Sequence, residues 1–219
     1  MNKIIIFDLD GTLLYTLEDI NDAINFALNK YNLKNNTLEE TRNFVGNGAS
    51  ILVKRSIYHI KNPILFLNNP VIEQVLDLYN KKYSKIKFNH TRAYDNVIET
   101  LKSFKEKGYK LAVLSNKPDL DTKRIIEYYF NGIFDLVEGA MKEYQLKPDK
   151  RHVLSIIDRL GCKTCDATFV GDSLTDIKTA RNANIRCVSV SYGYVDKNVL
   201  RLYNNNIIDN FKDLEKYIW

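Results

Sequence analysis

The sequence predicts an α/β fold: a Rossmann-like parallel sheet with helices on both faces, plus an inserted α-helical domain near its start. Three observations predict it. Short apolar runs that stop abruptly at polar residues read as buried strands, helical patterns fall between them, and one long stretch holds helical patterns alone. The chain has 219 residues, 45% hydrophobic and 27% charged, which suits a globular protein with room for a core and an insertion.

Lys3 to Asp8 reads as the first buried strand. From Tyr15 to Tyr83 the rhythm changes, with no convincing strand. A Thr16-x-x-Asp19 capping box is expected to start a helix through Ile20, Ala23, Ile24 and Ala27, and further helices are expected over Ala49 to Ile60 and Val71 to Tyr83. Strands are then expected at Lys110 to Ser115, Phe134 to Glu138 (the weakest), Ala167 to Gly171 and Arg186 to Ser191. Between them Val97, Leu101 and Phe104 share a helix face before Gly108, as do Ile125, Ile126 and Tyr129, and Val153, Ile156, Ile157 and Leu160. Strand, helix, strand alternation implies right-handed crossovers and a sheet covered on both sides. The expected division is residues 1–14 and 84–219 as the α/β core, with 15–83 as the helical insertion. The Asn35-Asn36 and Asn204 to Asn206 patches read as loops.

Composition narrows the function. A net charge of +5, from 32 Lys+Arg against 27 Asp+Glu, with no basic block, argues against a nucleic-acid partner and suits a small anionic one. No run approaches the roughly 20 apolar residues that span a bilayer. The patch Ile4-Ile5-Ile6-Phe7 is too short for a signal-peptide core and ends in two carboxylates, so the expected location is cytoplasmic, with no membrane partner. Cys162 and Cys165 have CxxC spacing but no second pair or nearby His pair, and are expected to be reduced thiols. His59, His90 and His152 show no metal-ligand spacing.

Ligands of open parallel sheets sit beyond the carboxyl ends of the strands. Those ends deliver Asp8 and Asp10, then Ser115 and Asn116, then Lys147-Pro148 after the weak strand, then Gly171-Asp172 with Asp176 four residues on. Carboxylates gathered this closely repel unless a proton or a cation relieves them. An all-oxygen set suits a hard ion such as Mg²⁺. Beside such an ion and a lysine, one carboxylate can attack phosphorus and a second can move the proton.

Asp8-x-Asp10-Gly11-Thr12, Ser115-Asn116-Lys117, Lys147-Pro148 and Gly171-Asp172-Ser173-x-x-Asp176 resemble, in order, the four motifs of the haloacid dehalogenase-like superfamily, over essentially the whole chain. The resemblance implies Asp8 as nucleophile and metal ligand, and Asp10 as general acid/base with its backbone carbonyl also on the metal. It implies a phosphate-binding hydroxyl at Ser115, a neutralising lysine at Lys147, and Mg²⁺ ligands at Asp172 and Asp176, the latter direct or through water. Thr12 and Asn116 would hold the phosphoryl group or the geometry of the site. Because the family's dehalogenases lack the second aspartate of the first motif, Asp10 favours phosphate chemistry. Arg42-Asn43-Phe44-Val45-Gly46-Asn47-Gly48-Ala49 is similar to the cap loop of phosphoglycolate phosphatases. This implies a helical cap with Arg42, Gly46, Asn47 and Gly48 towards substrate, although Arg42 fits a wet helix face equally well. The implied partner is a small phosphorylated metabolite, with 2-phosphoglycolate first, and the chain is expected to act as a monomer or homodimer.

The sequence departs from that pattern at Tyr15, where the group usually has Asp, and at Glu138 to Leu146, which lacks the usual Gly-Gly-Asp run. Lys150 replaces a second proline after Lys147-Pro148, which leaves Lys142 as an alternative active-site lysine. Asn184 replaces a glycine at a helix end, where Asn is the next-best left-handed residue. Two enzymatic alternatives share the framework, a β-phosphoglucomutase-like phosphotransferase and a pyrophosphatase. A receiver-like signalling module is a third, disfavoured by the insertion and by Asp10.

Overall fold

The structure, a computed structural model, describes residues 3–61 and 69–218. In chain order the strands are β1 (Ile4–Phe7), β2 (Leu14–Tyr15), β3 (Arg92–Ala93), β4 (Lys110–Pro118), β5 (Leu136–Ala140), β6 (Ala167–Gly171), β7 (Arg186–Val190) and β8 (Ile207–Ile208). The helices are α1 (Leu17–Asn29), α2 (Leu38–Phe44), α3 (Ala49–Tyr58), α4 (Pro70–Ile86), α5 (Val97–Glu106), α6 (Asp119–Phe130), α7 (Lys150–Arg159), α8 (Leu174–Asn182) and α9 (Lys197–Arg201). The chain forms two compact units, Met1–Tyr15 with Ala93–Trp219, and Thr16–Arg92.

The first unit is an α/β fold around a six-stranded sheet in the order β5-β4-β1-β6-β7-β8. Every pairing in it is parallel, and β1 lies between β4 and β6 in the register Phe7 to Val113 and Phe7 to Val170. The central strands are buried on both faces, so they read as unbroken apolar runs. Ile4, Ile6, Ala112, Leu114 and Phe169 point to one side, where they pack with Val153, Ile156 and Ile157 of α7 and Ala180 of α8. On the other side the Phe7 ring meets the rings of Phe134 and Phe211.

Two strands differ from the sequence reading by two or more residues at an end. β4 continues three residues past Ser115, and its register with β5 shifts between Leu114 and Pro118. β5 starts at Leu136 rather than Phe134. Phe134 spends its ring on edge-to-face contacts with Phe7 and Phe130, and the Asp135 carboxylate accepts from the Leu111 N–H at 2.8 Å. Asn184 takes the left-handed conformation expected of it, with φ of +54°.

The second unit is helical. α1 buries Leu17, Ile20, Ala23, Ile24, Ala27 and Leu28 along one stripe, as its periodicity requires. The capping box expected at its start does not form: Thr16 occupies the N-cap position without a side-chain cap hydrogen bond. The Asp19 carboxylate, fully buried, accepts instead from the His90 N–H at 3.0 Å, the Thr91 N–H at 3.0 Å and the Thr91 hydroxyl at 2.8 Å. Several convergent donors outcompete the single backbone N–H that a capping box offers. A true capping box opens α2, where Thr37 and Glu40 exchange bonds. α3 stops at Tyr58, short of Ile60, and His59 ends it with φ of +51°. α4 begins on an Asn69 cap with proline in its first turn and runs through residue 83 to Ile86, so the unit extends to Arg92.

Inside this unit lies a network of neutral polar side chains. Asn25 and the Asn36 backbone exchange two hydrogen bonds, at 2.9 and 2.8 Å. The Asn36 amide donates to Thr41 at 3.3 Å and Ser56 at 2.7 Å, and Thr41 donates to Asn21 at 2.7 Å. Asn36, read from sequence as part of a polar loop, is a buried hub of the helical packing.

Candidate active site

β1 ends at Phe7, and the Asp8 N–H adds one more hydrogen bond to the ladder by donating to the Val170 carbonyl at 2.9 Å. That bond fixes the backbone of Asp8 at the strand's carboxyl end. The next residues fold into a tight loop in which the N–H groups of Leu13 and Leu14 both donate to the Leu9 carbonyl, at 3.0 and 3.1 Å. Gly11 sits in this loop with φ of +84°, and any side chain there would collide with the Asp172 carboxylate. The residue must therefore be glycine, for its backbone conformation and for the close approach.

Lys147 is 5% exposed, and its ammonium donates to Asp8 Oδ1 at 2.8 Å and to Asp176 Oδ1 at 2.7 Å. Its backbone is clamped by Asn116: the Lys147 N–H donates to Asn116 Oδ1 at 2.8 Å, and the Asn116 amide donates back to the Lys147 carbonyl at 3.2 Å. Asn116 thus sets site geometry through the lysine. Lys142 is exposed, so Lys147 is the lysine brought to the carboxylates.

Asp172 and Asp176 follow β6. Asp176 is the third residue of α8 and completes a capping box with Ser173: its Oδ2 accepts from the Ser173 N–H at 3.1 Å and the Ser173 hydroxyl at 2.6 Å, while its Oδ1 faces Lys147. Asp172 Oδ2 accepts from the Tyr194 N–H at 2.7 Å, and Gly193 passes so close to the Asp172 side chain that a Cβ would not fit. The Thr12 hydroxyl lies 3.5 Å from Asp172 Oδ1, and the Tyr192 hydroxyl donates to the Thr12 carbonyl at 3.0 Å. Ser115 is buried at the end of β4, where its hydroxyl accepts from the Lys117 N–H at 3.2 Å.

Asp8, Asp172 and Asp176 offer carboxylate oxygens that lie within 4.8 Å of one another. Asp10 stands apart from that trio. Its side chain pairs with Lys117, Oδ1 to Nζ at 3.1 Å. Of the four aspartates expected as ligands, three therefore converge through their side chains, and Asp10 belongs with them only through the backbone role that the sequence reading gave it. The site holds four carboxylates and two ammonium groups, an excess of two negative charges. A divalent cation would balance that excess, and three hard oxygen donors would suit it. Without one, burial and the neighbouring Asp176 push the Asp8 carboxyl from 3.8 up to about 7, against the pull of Lys147. Burial, then Asp176 and Asp8, likewise raise Asp172 well above the usual carboxylate range. Burial lowers the Lys147 ammonium, but Asp176 and Asp8 together outweigh it and leave its pKa above the ordinary lysine value.

Arg42, Gly46, Asn47 and Gly48 lie in the second unit. Arg42 sits in the last turn of α2, half-exposed, 3.8 Å from Glu39. Gly46 and Gly48 flank Asn47 between α2 and α3. Two features near the strand ends went unassigned in the sequence. Lys117 was visible inside a motif, and its burial marks it as part of the site. A group of tyrosines, Tyr15, Tyr94, Tyr192 and Tyr194, lines the loop beside Thr12, with Tyr15 stacked edge-on against Tyr94 and Tyr194.

This arrangement matches known proteins. The family model for haloacid dehalogenase-like hydrolases matches residues 5–190. A phosphoglycolate phosphatase of Psychrobacter arcticus is 32% identical over 219 residues, 99% of this chain and 95% of that protein. One from Haemophilus influenzae is 33% identical over 215 residues, 97% of this chain and 96% of its own length. Among solved structures, a protein of Haemophilus somnus described as a predicted phosphoglycolate phosphatase superposes with a TM-score of 0.89 at 30% identity, covering 99% of this chain and 97% of that one. A Lactobacillus delbrueckii subsp. bulgaricus structure under the same provisional name reaches 0.93 at 28% identity, over 100% and 99% of the two chains.

The chain belongs to the haloacid dehalogenase-like hydrolase family. Within it, the fold and the relatives make it a phosphatase of the phosphoglycolate phosphatase-like kind, a hydrolase of phosphoric monoesters.

Proposed function

We propose that the protein hydrolyses a small phosphomonoester, 2-phosphoglycolate first among them, by way of an aspartyl-phosphate on Asp8 and with Mg²⁺ as cofactor. The observation that carries this reading is the pairing of two carboxylates, two residues apart, with two separate buried lysines: Asp8 with Lys147 and Asp10 with Lys117. Asp8 is fixed beside Lys147, whose ammonium favours the anionic form a nucleophile needs, while Asp10 is the more exposed of the two.

Asp8, Asp172 and Asp176, with the Asp10 carbonyl, would hold Mg²⁺, whose charge would offset these carboxylates against an incoming phosphate dianion. An Asp8 oxygen attacks phosphorus as the ester P–O bond breaks, and the departing alkoxide takes a proton from Asp10. Asp10 then takes a proton from water, whose oxygen attacks phosphorus and breaks the bond to Asp8, releasing phosphate and restoring the carboxylate. Lys147 neutralises the nucleophile and the phosphoryl oxygens throughout. Ser115 and Thr12 hold the phosphoryl group, and Asn116 keeps Lys147 in place. The helical unit of residues 16–92 acts as the cap, with Arg42 pairing with the substrate carboxylate and Gly46, Asn47 and Gly48 giving the backbone a close path to it. The enzyme works in the cytoplasm on a free metabolite.

The test is phosphate release from 2-phosphoglycolate, sugar phosphates, nucleotides and pyrophosphate, with Mg²⁺ and after chelation, together with acid quenching to trap label from the phosphoryl group on Asp8. Turnover that survives chelation, or label that never reaches Asp8, would overturn the mechanism. A clear preference for another ester would overturn the substrate alone.

A further inference from the structure

Lys117 is a buried cation that the reaction above does not use for phosphate or metal. Its side chain is 6% exposed at the end of β4, with Nζ 3.1 Å from Asp10 Oδ1. An ammonium this buried is retained only when a partner repays its desolvation. The other buried lysine of the site is committed elsewhere, to Asp8 and Asp176. Lys117 is itself anchored, because its N–H donates to the Ser115 hydroxyl at 3.2 Å, so its stem starts from a fixed point on the strand. Asp10, by contrast, is the more exposed end of the pair. Its side chain is 19% exposed, against 10% for Asp8, and it stands in the loop that turns at Gly11.

We infer that Lys117 is a positioning residue for the proton-transfer step, holding the Asp10 carboxylate in one orientation through its contact with Oδ1. The inference rests on reading Asp10 as the acid–base. The proton leaves Asp10 for the departing alkoxide, and the carboxylate that remains is paired with the Lys117 ammonium. In the second half-reaction a proton from water returns to Asp10. No atom of Lys117 bonds to substrate. Its effect is to fix the orientation of Asp10 and to stabilise the anion that proton donation leaves behind.

Leaving-group chemistry tests this, because a phenolate departs without a proton and an alkoxide does not. With Mg²⁺ present, kcat/KM reports the step that forms the aspartyl-phosphate. Lys117→Met should lower kcat/KM on an alkyl monoester by about 10- to 100-fold, and on para-nitrophenyl phosphate by less than about 3-fold. Asp10→Asn is the control and should show the same split, larger on the alkyl ester. Equal losses of Lys117→Met on both substrates, or no loss on either, overturn the inference while Asp10 keeps its role. A missing split in Asp10→Asn sinks the reading of Asp10 and the inference with it. Methionine replaces a buried ammonium with an apolar chain of similar reach, and circular dichroism checks that the variant folds. Should it unfold, Lys117→Arg carries the same two-substrate comparison: a preserved alkyl-ester rate supports positioning by a cation, and equal loss on both substrates overturns it.

Discussion

The sheet unit clusters its buried charges in one place, whereas the helical unit, beside a buried Asp19 carboxylate held by backbone and hydroxyl donors, joins amides and hydroxyls. In the first, Asp8, Asp172, Asp176 and Lys147 are all less than a tenth exposed. In the second, Asn21, Asn25, Asn36, Thr41 and Ser56 join through neutral hydrogen bonds. The neutral network nearly satisfies itself: Asn36 Oδ1 is the one buried side-chain atom without a partner among the described residues. The charged cluster does not, since its carboxylates outnumber its ammonium groups. Matched neutral groups hold helices in register. Mismatched charges cost stability and are kept for what they bind. The two regions are polar networks built for different purposes, and that contrast can be attacked from either side.

The largest effect is expected at Asp8. Asp8→Asn should lower phosphate release by at least about 10³-fold, because an amide cannot replace the nucleophile. The same variant should melt no lower than the parent without added metal, since it removes one of the crowded negative charges. A variant that lost stability along with activity would show the charged cluster to be structural, like its neutral counterpart.

A second prediction concerns pH. The Asp8 carboxyl rises from 3.8 in the unfolded chain to about 7 in the fold, because of burial and Asp176, and Asp172 rises too. The folded protein therefore keeps protons that the unfolded chain has lost. Stability of the metal-free protein is unaffected by this below pH 3.8, falls as pH rises towards 7, and levels off above it. For Asp8 the shift is worth at most roughly 4 kcal/mol. A cation on the cluster displaces those protons and restores the loss, so Mg²⁺ should raise Tm by several degrees at about pH 8 and by far less at about pH 5. Equal shifts at both would mean that the cation acts elsewhere.

The smallest effect belongs to the helical unit. Asn36→Ala leaves Thr41 and Ser56 short of a partner and should cost about 1–3 kcal/mol in urea unfolding. Activity per folded molecule should stay within about 2-fold of the parent. A larger activity loss at unchanged stability would give the neutral network a chemical role.

Much of the sheet and its site is legible because buried parallel strands are written as apolar runs and their ends fall where the runs stop. Asp8, Lys147, Asp172 and Asp176 are read at those ends, and their side chains come together there. The misses share one cause, which is that local patterns do not reveal distant partners. Thr16-x-x-Asp19 has the spacing of a capping box, yet the donors that claim Asp19 lie 71 and 72 residues downstream. Lys117 was quoted inside a motif without a role, because its direction depends on the register shift between Leu114 and Pro118. Asn36 looked like loop composition because nothing local shows that Ser56 waits for it. The overlooked Thr37-x-x-Glu40 box was readable and shows that the signal was available where the pattern is self-contained.

The Ser173–Asp176 box at the start of α8 has a further consequence. Asp176 is at once the residue that winds the first turn and the residue that faces Lys147. A chain in which that turn has not yet wound has no complete acidic cluster, so the site cannot exist in a half-folded molecule. Construction of the helix and arming of the enzyme are a single event.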